Sequence, residues 1–555
     1  MNRLRLHLAL ALFVLPAADL GALPFPKDPG PPLPDGAVRR FGKAPPELPA
    51  KKRPAFTPDT GDLVNVDEAN VSNPALRATM AQTPDGKQLV VADGSGRIDV
   101  FEIATGRLAR RLQEPGADPV YNTAVSPDGR WLACARVRPD IQIWDFAAGK
   151  VAATIPVHPG SDRRRPGAAE RLAFSPDGKV LYTGVEIFTG SNDQGATAWE
   201  VPSGKRLWNV PGVGYNLAAD PRGRWVLSSL LRQDPIRLVL LDQATGRVAG
   251  TLPIEPSWEP DGTPVDATTT LDRAFTPDGA RLVTLHEDGT VRAWDPLAGR
   301  EVARIRWATD RSGEPGGLAC SPDGRWAAVR SRGTVFAIEL ASGRVVHTIA
   351  GREAPIRELA FTRDGRGVIV NAGPAPILWS LTPKELPDLG GRADALWEAL
   401  GSGDAAQAYR LQWALVTDPK AAVRLAADRV RPAELVVPRA RFDGLVAGLD
   451  NPEFAQRERS ERDLTRAGIT VPPAWLRKAL EASSSEEVRA RLRRILARRE
   501  APCPDQWRLE RAVQVLELAG TPEAVVLLKE WAGGPAGAVL TEEAAAAVKR
   551  LAPKP

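Results

Sequence analysis

The sequence predicts a multidomain chain, an all-β middle of seven like sheets followed by an all-α region. Three observations predict it. A Pro-Asp-Gly turn returns seven times through the middle of the chain, a Gly-basic turn keeps step with it, and from Arg392 onward the apolar residues take up helical spacing. At 555 residues the chain is too long for one compact core.

The first element is an address. Arg3 and Arg5 precede the apolar run Leu6–Leu15, and the small-residue exit Pro16–Ala22 follows, so residues 1–22 read as a secretory signal peptide too short to span a membrane. Residues 23–59 are Pro-rich ("LPFPKDPGPPLPDG", "KAPPELPAKKRPAF") and poor in branched apolar residues, the composition of a disordered tether.

Residues 60–383 hold the repeat. The turns are Thr83-Pro-Asp-Gly86, Ser126-Pro-Asp-Gly129, Ser175-Pro-Asp-Gly178, Asp220-Pro-Arg-Gly223, Thr276-Pro-Asp-Gly279, Ser321-Pro-Asp-Gly324 and Thr362-Arg-Asp-Gly365. Proline presets the first turn angle, aspartate bonds its own backbone, and glycine takes the positive φ that closes the hairpin. The second turn carries Gly106, Gly149, Gly204, Gly246, Gly299 and Gly343, each followed by Arg or Lys. Five residues before each stands Phe101, Trp144, Trp199, Leu241, Trp294 or Ile338, and an acid comes next every time: Glu102, Asp145, Glu200, Asp242, Asp295, Glu339. Short β-rich runs flank both turns, giving four antiparallel strands per unit. One such sheet cannot bury both faces, whereas radially stacked sheets cover each other.

These residues resemble WD40 repeats, and the resemblance implies a seven-bladed β-propeller over roughly Asp62–Leu381. The Gly-His pair that opens a typical repeat is missing from every unit, which implies loss of the hydrogen-bonded tetrad built on that histidine; His286 reads as a satisfied strand residue. Ser-Pro-Asp-Gly units also occur in looser propellers resembling those of TolB and prolyl oligopeptidases, and the acid after Trp favours WD40. The seventh unit lacks its last strand, and "GDLVNVDEA", Gly61–Ala69, with Val64 and Val66, is expected to pair there and close the ring.

Both glycine turns lie at one end of each unit, so the length variation falls on the opposite rim: His158–Gly167, Val185–Gly195 and Pro253–Asp272. Variable loops on a rigid scaffold are the usual place for recognition. The candidate partner-binding residues of this rim are Arg163, Arg164, Arg165, Asn192, Asp193, Arg232, Trp258 and Asp261; loops tolerated because they disturb nothing are the bland alternative.

Residues 384–555 are Ala/Leu/Arg/Glu-rich with helix caps such as Asp418-Pro419, Asn451-Pro452-Glu453 and Thr521-Pro522-Glu523. Alternating pairs such as Pro452–Gly468 with Pro473–Ala482, then Ser485–Arg499, resemble HEAT-type repeats, so a small HEAT-like solenoid or bundle is expected. Arg489, Arg491, Arg493, Arg494, Arg498 and Arg499 have acids interleaved and read as a solvated helix face, not a phosphate site.

Chemistry is sparse. The sequence has no GxSxG elbow, no HExxH and no phosphate loop, and only four histidines. Cys134, Cys320 and Cys503 are far apart and read as buried small hydrophobes. A net charge of +5 is small for this length and gives no argument for nucleic acid. No catalytic, cofactor-binding or metal-ligating residue is assigned, and no cofactor. The sequence points to an exported, non-catalytic scaffold that binds other proteins in the cell envelope, without nucleic acid and without stable membrane insertion after signal cleavage. The rivals are an enzyme (hydrolase or lyase) with a site at the propeller's central channel, and a saccharide- or peptide-binding sensor.

Overall fold

The computed structural model describes residues 33, 37–41, 78–136, 140–156, 169–185, 195–230, 238–252, 254, 257–258, 264–265, 270–297, 299–307, 315–331, 333–350, 356, 358–371, 375–390, 393–430, 437–467, 471–499, 504–535 and 538–552. Seven four-stranded antiparallel sheets and one two-stranded ribbon, Ser257–Trp258 with Pro264–Val265, make up its β structure. Blades 1 to 6 begin with the strands Ala78–Gln82, Val120–Val125, Ala169–Phe174, Val213–Ala219, Thr270–Phe275 and Pro315–Cys320, and each continues through three further strands in sequence order. Blade 7 holds Glu358–Phe361, Gly367–Asn371 and Ile377–Ser380. First strands of successive blades adjoin one another around a central channel.

The recurring turn shows why the sheets form where they do. In blade 3 the Ser175 hydroxyl donates to Asp177 Oδ1 at 2.6 Å, that oxygen accepts the Lys179 N–H at 3.1 Å, and Ser175 Oγ accepts the Val180 N–H at 2.9 Å. Gly178 sits at φ +70° and donates to the Ser175 carbonyl at 2.9 Å. The serine bond holds the Asp177 carboxyl below its usual range. Each hairpin is thus held by bonds made within its own turn.

The core is layered between blades. Trp131, Ile143, Phe174 and Trp199 join blades 2 and 3; Val226, Val239, Tyr182 and Ala198 join blades 3 and 4; Leu227, Phe275, Leu282 and Trp294 join blades 4 and 5. The second strand of blade 2, Trp131–Arg136, is buried throughout, whereas the outermost strand of blade 1, Leu108–Gln113, has no buried residue. A sheet with an apolar layer on each side requires a neighbour on each side, which a closed ring supplies.

Ring closure corrects the sequence reading. The outer strand of blade 7 is Ala37–Arg40, antiparallel to Ile377–Ser380, with Ala37 opposite Trp379 and Arg40 opposite Ile377. It lies inside the Pro-rich stretch expected to be a tether. Gly61–Ala69, expected to take this place, lies outside the described residues, and the place is filled. The physical reason is the short proline-free run "AVRRF", whose last residue is an anchor: Phe41 is 1% exposed, meets Phe101 edge-on at 6.1 Å between ring centroids, and donates from its N–H to the Pro376 carbonyl at 2.9 Å.

His286 is a fully buried strand residue, as expected. The hydrogen-bonded network expected to be missing survives in part, however. Trp294 Nε1 donates to Thr284 Oγ1 at 2.8 Å, and that hydroxyl lies 2.8 Å from His286 Nε2; in blade 3, Trp199 Nε1 donates to Thr183 Oγ1 at 3.0 Å. The histidine comes from the second strand of the same blade, so no Gly-His pair is required.

After the propeller come helices α1 (Ala393–Leu400), α2 (Ala405–Thr417), α3 (Pro419–Arg429), α4 (Arg439–Gly448), α5 (Phe454–Ala467), α6 (Pro473–Ala482), α7 (Glu486–Arg499), α8 (Pro504–Ala519), α9 (Pro522–Ala532) and α10 (Val539–Leu551). Asp404, Asp418 and Thr521 cap α2, α3 and α9 by accepting an N–H of the first turn. The helices form a nested bundle. α8 returns to pack on α1, α2 and α3, and with α9 and α10 it shares a core of Leu516, Leu528, Trp531 and Leu540. The helices between, α4 to α7, enclose their own core of Phe442, Leu464, Leu476, Leu492 and Ile495, in which α5 packs on α4 and α7. Arg491 is 5% exposed on its side chain and is ringed by Glu458, Glu461 and Glu487, so part of the arginine cluster is an internal ion-pair network. Cys134 is buried, with its thiol pushed up to about 12 by burial, and Cys320 is half-buried; both are free, and Cys503 lies outside the described residues.

Candidate functional site

Four residues before the Ser, Thr or Asp that opens each turn, the first strand of every blade carries an equivalent residue: Thr79, Asn122, Arg171, Asn216, Asp272, Gly317 and Glu358. In blades 2 to 6 the strand pairing shifts at or beside this residue. Such bulges re-aim side chains and free backbone N–H groups from the ladder. All seven positions fall at the end of the channel opposite the glycine turns.

The polar groups of this ring tie blades together. Glu358 Oε1 accepts the Thr79 hydroxyl at 2.9 Å, Glu358 Oε2 accepts the Met80 N–H at 2.8 Å, and the Thr79 and Thr123 hydroxyls are 3.4 Å apart, linking blades 7, 1 and 2. Asp272 Oδ2 accepts the Leu318 N–H at 2.9 Å, linking blades 5 and 6, and Asp272 Oδ1 takes Arg171 Nη2 at 3.3 Å, reaching past blade 4 to blade 3. The two carboxylates therefore do the same thing in the same register: each accepts the N–H one residue after the ring position of the next blade. Burial raises the Glu358 pKa to about 7, opposed by its bonds to Met80 and Thr79 and by the charge of Arg171. A carboxyl that changes charge near neutrality, beside a guanidinium and a second carboxylate, is the arrangement in this channel most able to move a proton or hold a charged group. Sequence reasoning missed it, although the spacing of four residues before each turn was there to find.

Of the expected rim residues, Arg163, Arg164, Arg165, Asn192, Asp193, Arg232 and Asp261 lie outside the described residues. Trp258 belongs to the two-residue strand that pairs with Pro264–Val265 in the link between blades 4 and 5. Among the described residues no three His, Cys, Asp or Glu stand together as a metal site requires. None of the described helices is long and apolar enough to cross a membrane.

The opposite, turn-bearing face carries the helical region over blades 5, 6 and 7. Arg511 of α8 meets Glu339 with two hydrogen bonds of 2.8 and 2.6 Å and donates to the carbonyls of Leu400 and Ser402. Arg325 pairs with Glu543 at 2.6 Å and Glu517 at 3.3 Å; Arg477 reaches Asp295 at 3.3 Å; Arg366 donates to the Leu518 carbonyl. Tyr409 donates to the Leu381 carbonyl at 2.5 Å and meets Trp326 and Trp413 edge-on. Beside this joint a cleft of about 690 Å³ opens between α2 and the outer strand of blade 6, bordered by His347, Trp379, Lys384, Glu385 and Arg410.

Comparison with known proteins bears on the middle of the chain. A family model described as "Outer membrane protein assembly factor BamB" matches residues 125–349. An uncharacterized WD repeat-containing protein of Synechocystis sp. is 27% identical over 125 residues, 22% of this chain and 32% of that protein, so the match spans about a third of the relative's length. The crystal structure of the β-propeller domain of Cps50 (Swd1) from Myceliophteria thermophila covers 56% of this chain and 97% of its own, at 13% identity and a TM-score of 0.45. The seven four-stranded sheets themselves make the middle of the chain a seven-bladed β-propeller, and a helical region follows it.

Proposed function

We propose that the protein is a non-catalytic scaffold that binds other proteins in the cell envelope. The observation that carries this reading is the use to which the channel's polar groups are put. The carboxylates of Glu358 and Asp272 accept backbone N–H groups of the next blade, which supports a structural role for them in holding the ring. The loop-bearing rim stands opposite the face covered by the helical region and is the face we assign to partners, through Arg163, Arg164, Arg165, Asn192, Asp193, Arg232, Trp258 and Asp261. A leader-like N-terminus, and a match to a family described as an outer membrane assembly factor, support an exported protein that works in the envelope. The test is affinity capture from native envelope with wild type and with two rim variants, R163E/R164E/R165E and Trp258→Ala. Partners present with wild type and depleted severalfold with either variant are expected; an identical partner set from all three chains would remove the rim from this reading.

A second reading is favoured by one observation. Glu358, neutral or charged near pH 7 beside Arg171 and Asp272, is a group that an enzyme with a channel site would use as acid or base. Turnover that disappears in Glu358→Gln would establish it.

A further inference from the structure

Helix α8 meets blade 6 through three residues spaced along one side. Arg511 takes Glu339, the acid that ends the third strand; Gln514 donates to the turn residue Asp323 at 2.6 Å; Glu517 takes Arg325, the basic residue that follows the turn, at 3.3 Å. None of these three propeller positions is peculiar to blade 6. The same triple recurs as Glu102, Asp85 and Lys87 in blade 1, as Asp145, Asp128 and Arg130 in blade 2, and as Glu200, Asp177 and Lys179 in blade 3. The turn holds the aspartate and the backbone of the basic residue in one geometry. The aspartate Oδ1 accepts the N–H of the basic residue at 3.0, 3.0 and 3.1 Å in blades 1, 2 and 3 and at 3.0 Å in blade 6. Blade 4 replaces the turn aspartate with Arg222, blade 5 has Ala280 where the base belongs, and blade 7 has Ser380 where the acid belongs. In blades 1 to 3 the triples are exposed, apart from the half-buried Asp145, and among the described residues no hydrogen bond or ion pair reaches them from the helical region.

We propose that the turn faces of blades 1, 2 and 3 are docking sites for an α-helix of a partner protein, one that presents an arginine, an amide side chain and a glutamate at positions i, i+3 and i+6. The inference rests on the scaffold reading and deepens it by naming the partner's chemistry and a second face. Charge complementarity gives the helix a direction. The arginine must lie over the strand-end acid and the glutamate over the turn's base, and a helix of reversed charge order meets like charges at both ends.

The probe is a fluorescent, lactam-stapled peptide of residues 504–520, the α8 sequence, with helicity checked by circular dichroism and binding to the full chain read by anisotropy. Saturable binding is expected, weakened at least tenfold in K87E/R130E/K179E and weakened also by salt. A peptide with R511E and E517R should fail on wild type and bind a chain carrying E102R, D145R and E200R together with K87E, R130E and K179E. Unaltered thermal unfolding checks that these changes leave the fold intact. Absence of binding, or binding indifferent to K87E/R130E/K179E, overturns the proposal. If native partners are captured equally by wild type and by K87E/R130E/K179E, this proposal falls while the scaffold reading stands.

Discussion

Glu358 is the residue whose chemistry is most exposed to test. Its folded pKa, raised by burial to about 7, lies above the ordinary carboxyl value, so the folded chain holds this proton more tightly than the unfolded chain does. The associated stability is complete at pH values below the unfolded pKa and is lost as pH rises through about 7. Glu510 of α8, raised to about 7 by burial and by the charge of Glu543, acts in the same direction. The melting temperature of the wild-type chain is therefore expected to fall by a few degrees between about pH 5 and pH 8, and E358Q/E510Q is expected to flatten that slope. Calorimetry at several pH values is the check, and an unchanged slope in the double variant would remove both residues from the account. The ring to which Glu358 belongs was legible in the sequence as a position, through its constant distance from the turn. Its bonding was not, because the partner of each carboxylate is an N–H of the next blade, up to 278 residues away in the chain.

Among elements, the turns were legible and the closing strand was not. A Pro-Asp-Gly turn declares itself because all its bonds are local, from Ser175 to Val180 in blade 3. The closing strand has no local signature: Ala-Val-Arg-Arg is half charged and none of its four residues is buried, and the chain uses Ala37–Arg40, anchored by Phe41, where Gly61–Ala69 was expected. Phe41→Ala should cost about 3–5 kcal/mol, the usual range for removing a buried phenylalanine, and should loosen blades 7 and 1 first. Hydrogen exchange checks this: protection lost preferentially in Ile377–Ser380 and Ile98–Glu102 supports it, and uniform loss over the seven blades contradicts it. In the helical region the helical spacing and the caps identified the helices but not their order of packing. The apolar stripes of α4 to α7 and of α8 to α10 look alike in sequence, and only the return of α8 onto α1–α3 shows that the bundle is nested.

At the scale of the whole molecule, the helical region is held to the propeller by buried charge as well as by apolar contact. Arg511 and Glu339 are 2% and 6% exposed on their side chains. Removing one partner of a buried pair leaves the other uncompensated, so Arg511→Ala should cost about 3–5 kcal/mol, whereas replacing both partners with apolar side chains, R511M/E339L, should recover most of the loss. Differential scanning calorimetry should then resolve a separate helical transition in Arg511→Ala that is absent from wild type. With the turn face of blades 5 to 7 covered in this way, the loop-bearing rim and the turn faces of blades 1 to 3 are the surfaces proposed for partners. The rim loops were legible as variation in length and no further, because no repeat pattern dictates the positions of their side chains. The most direct test of the central claim is a hydrolase and lyase screen of the purified full chain, with Glu358→Gln beside it and partner capture measured on both. No turnover by either chain and equal capture by both are expected; turnover by wild type that falls away in Glu358→Gln would overturn the scaffold reading.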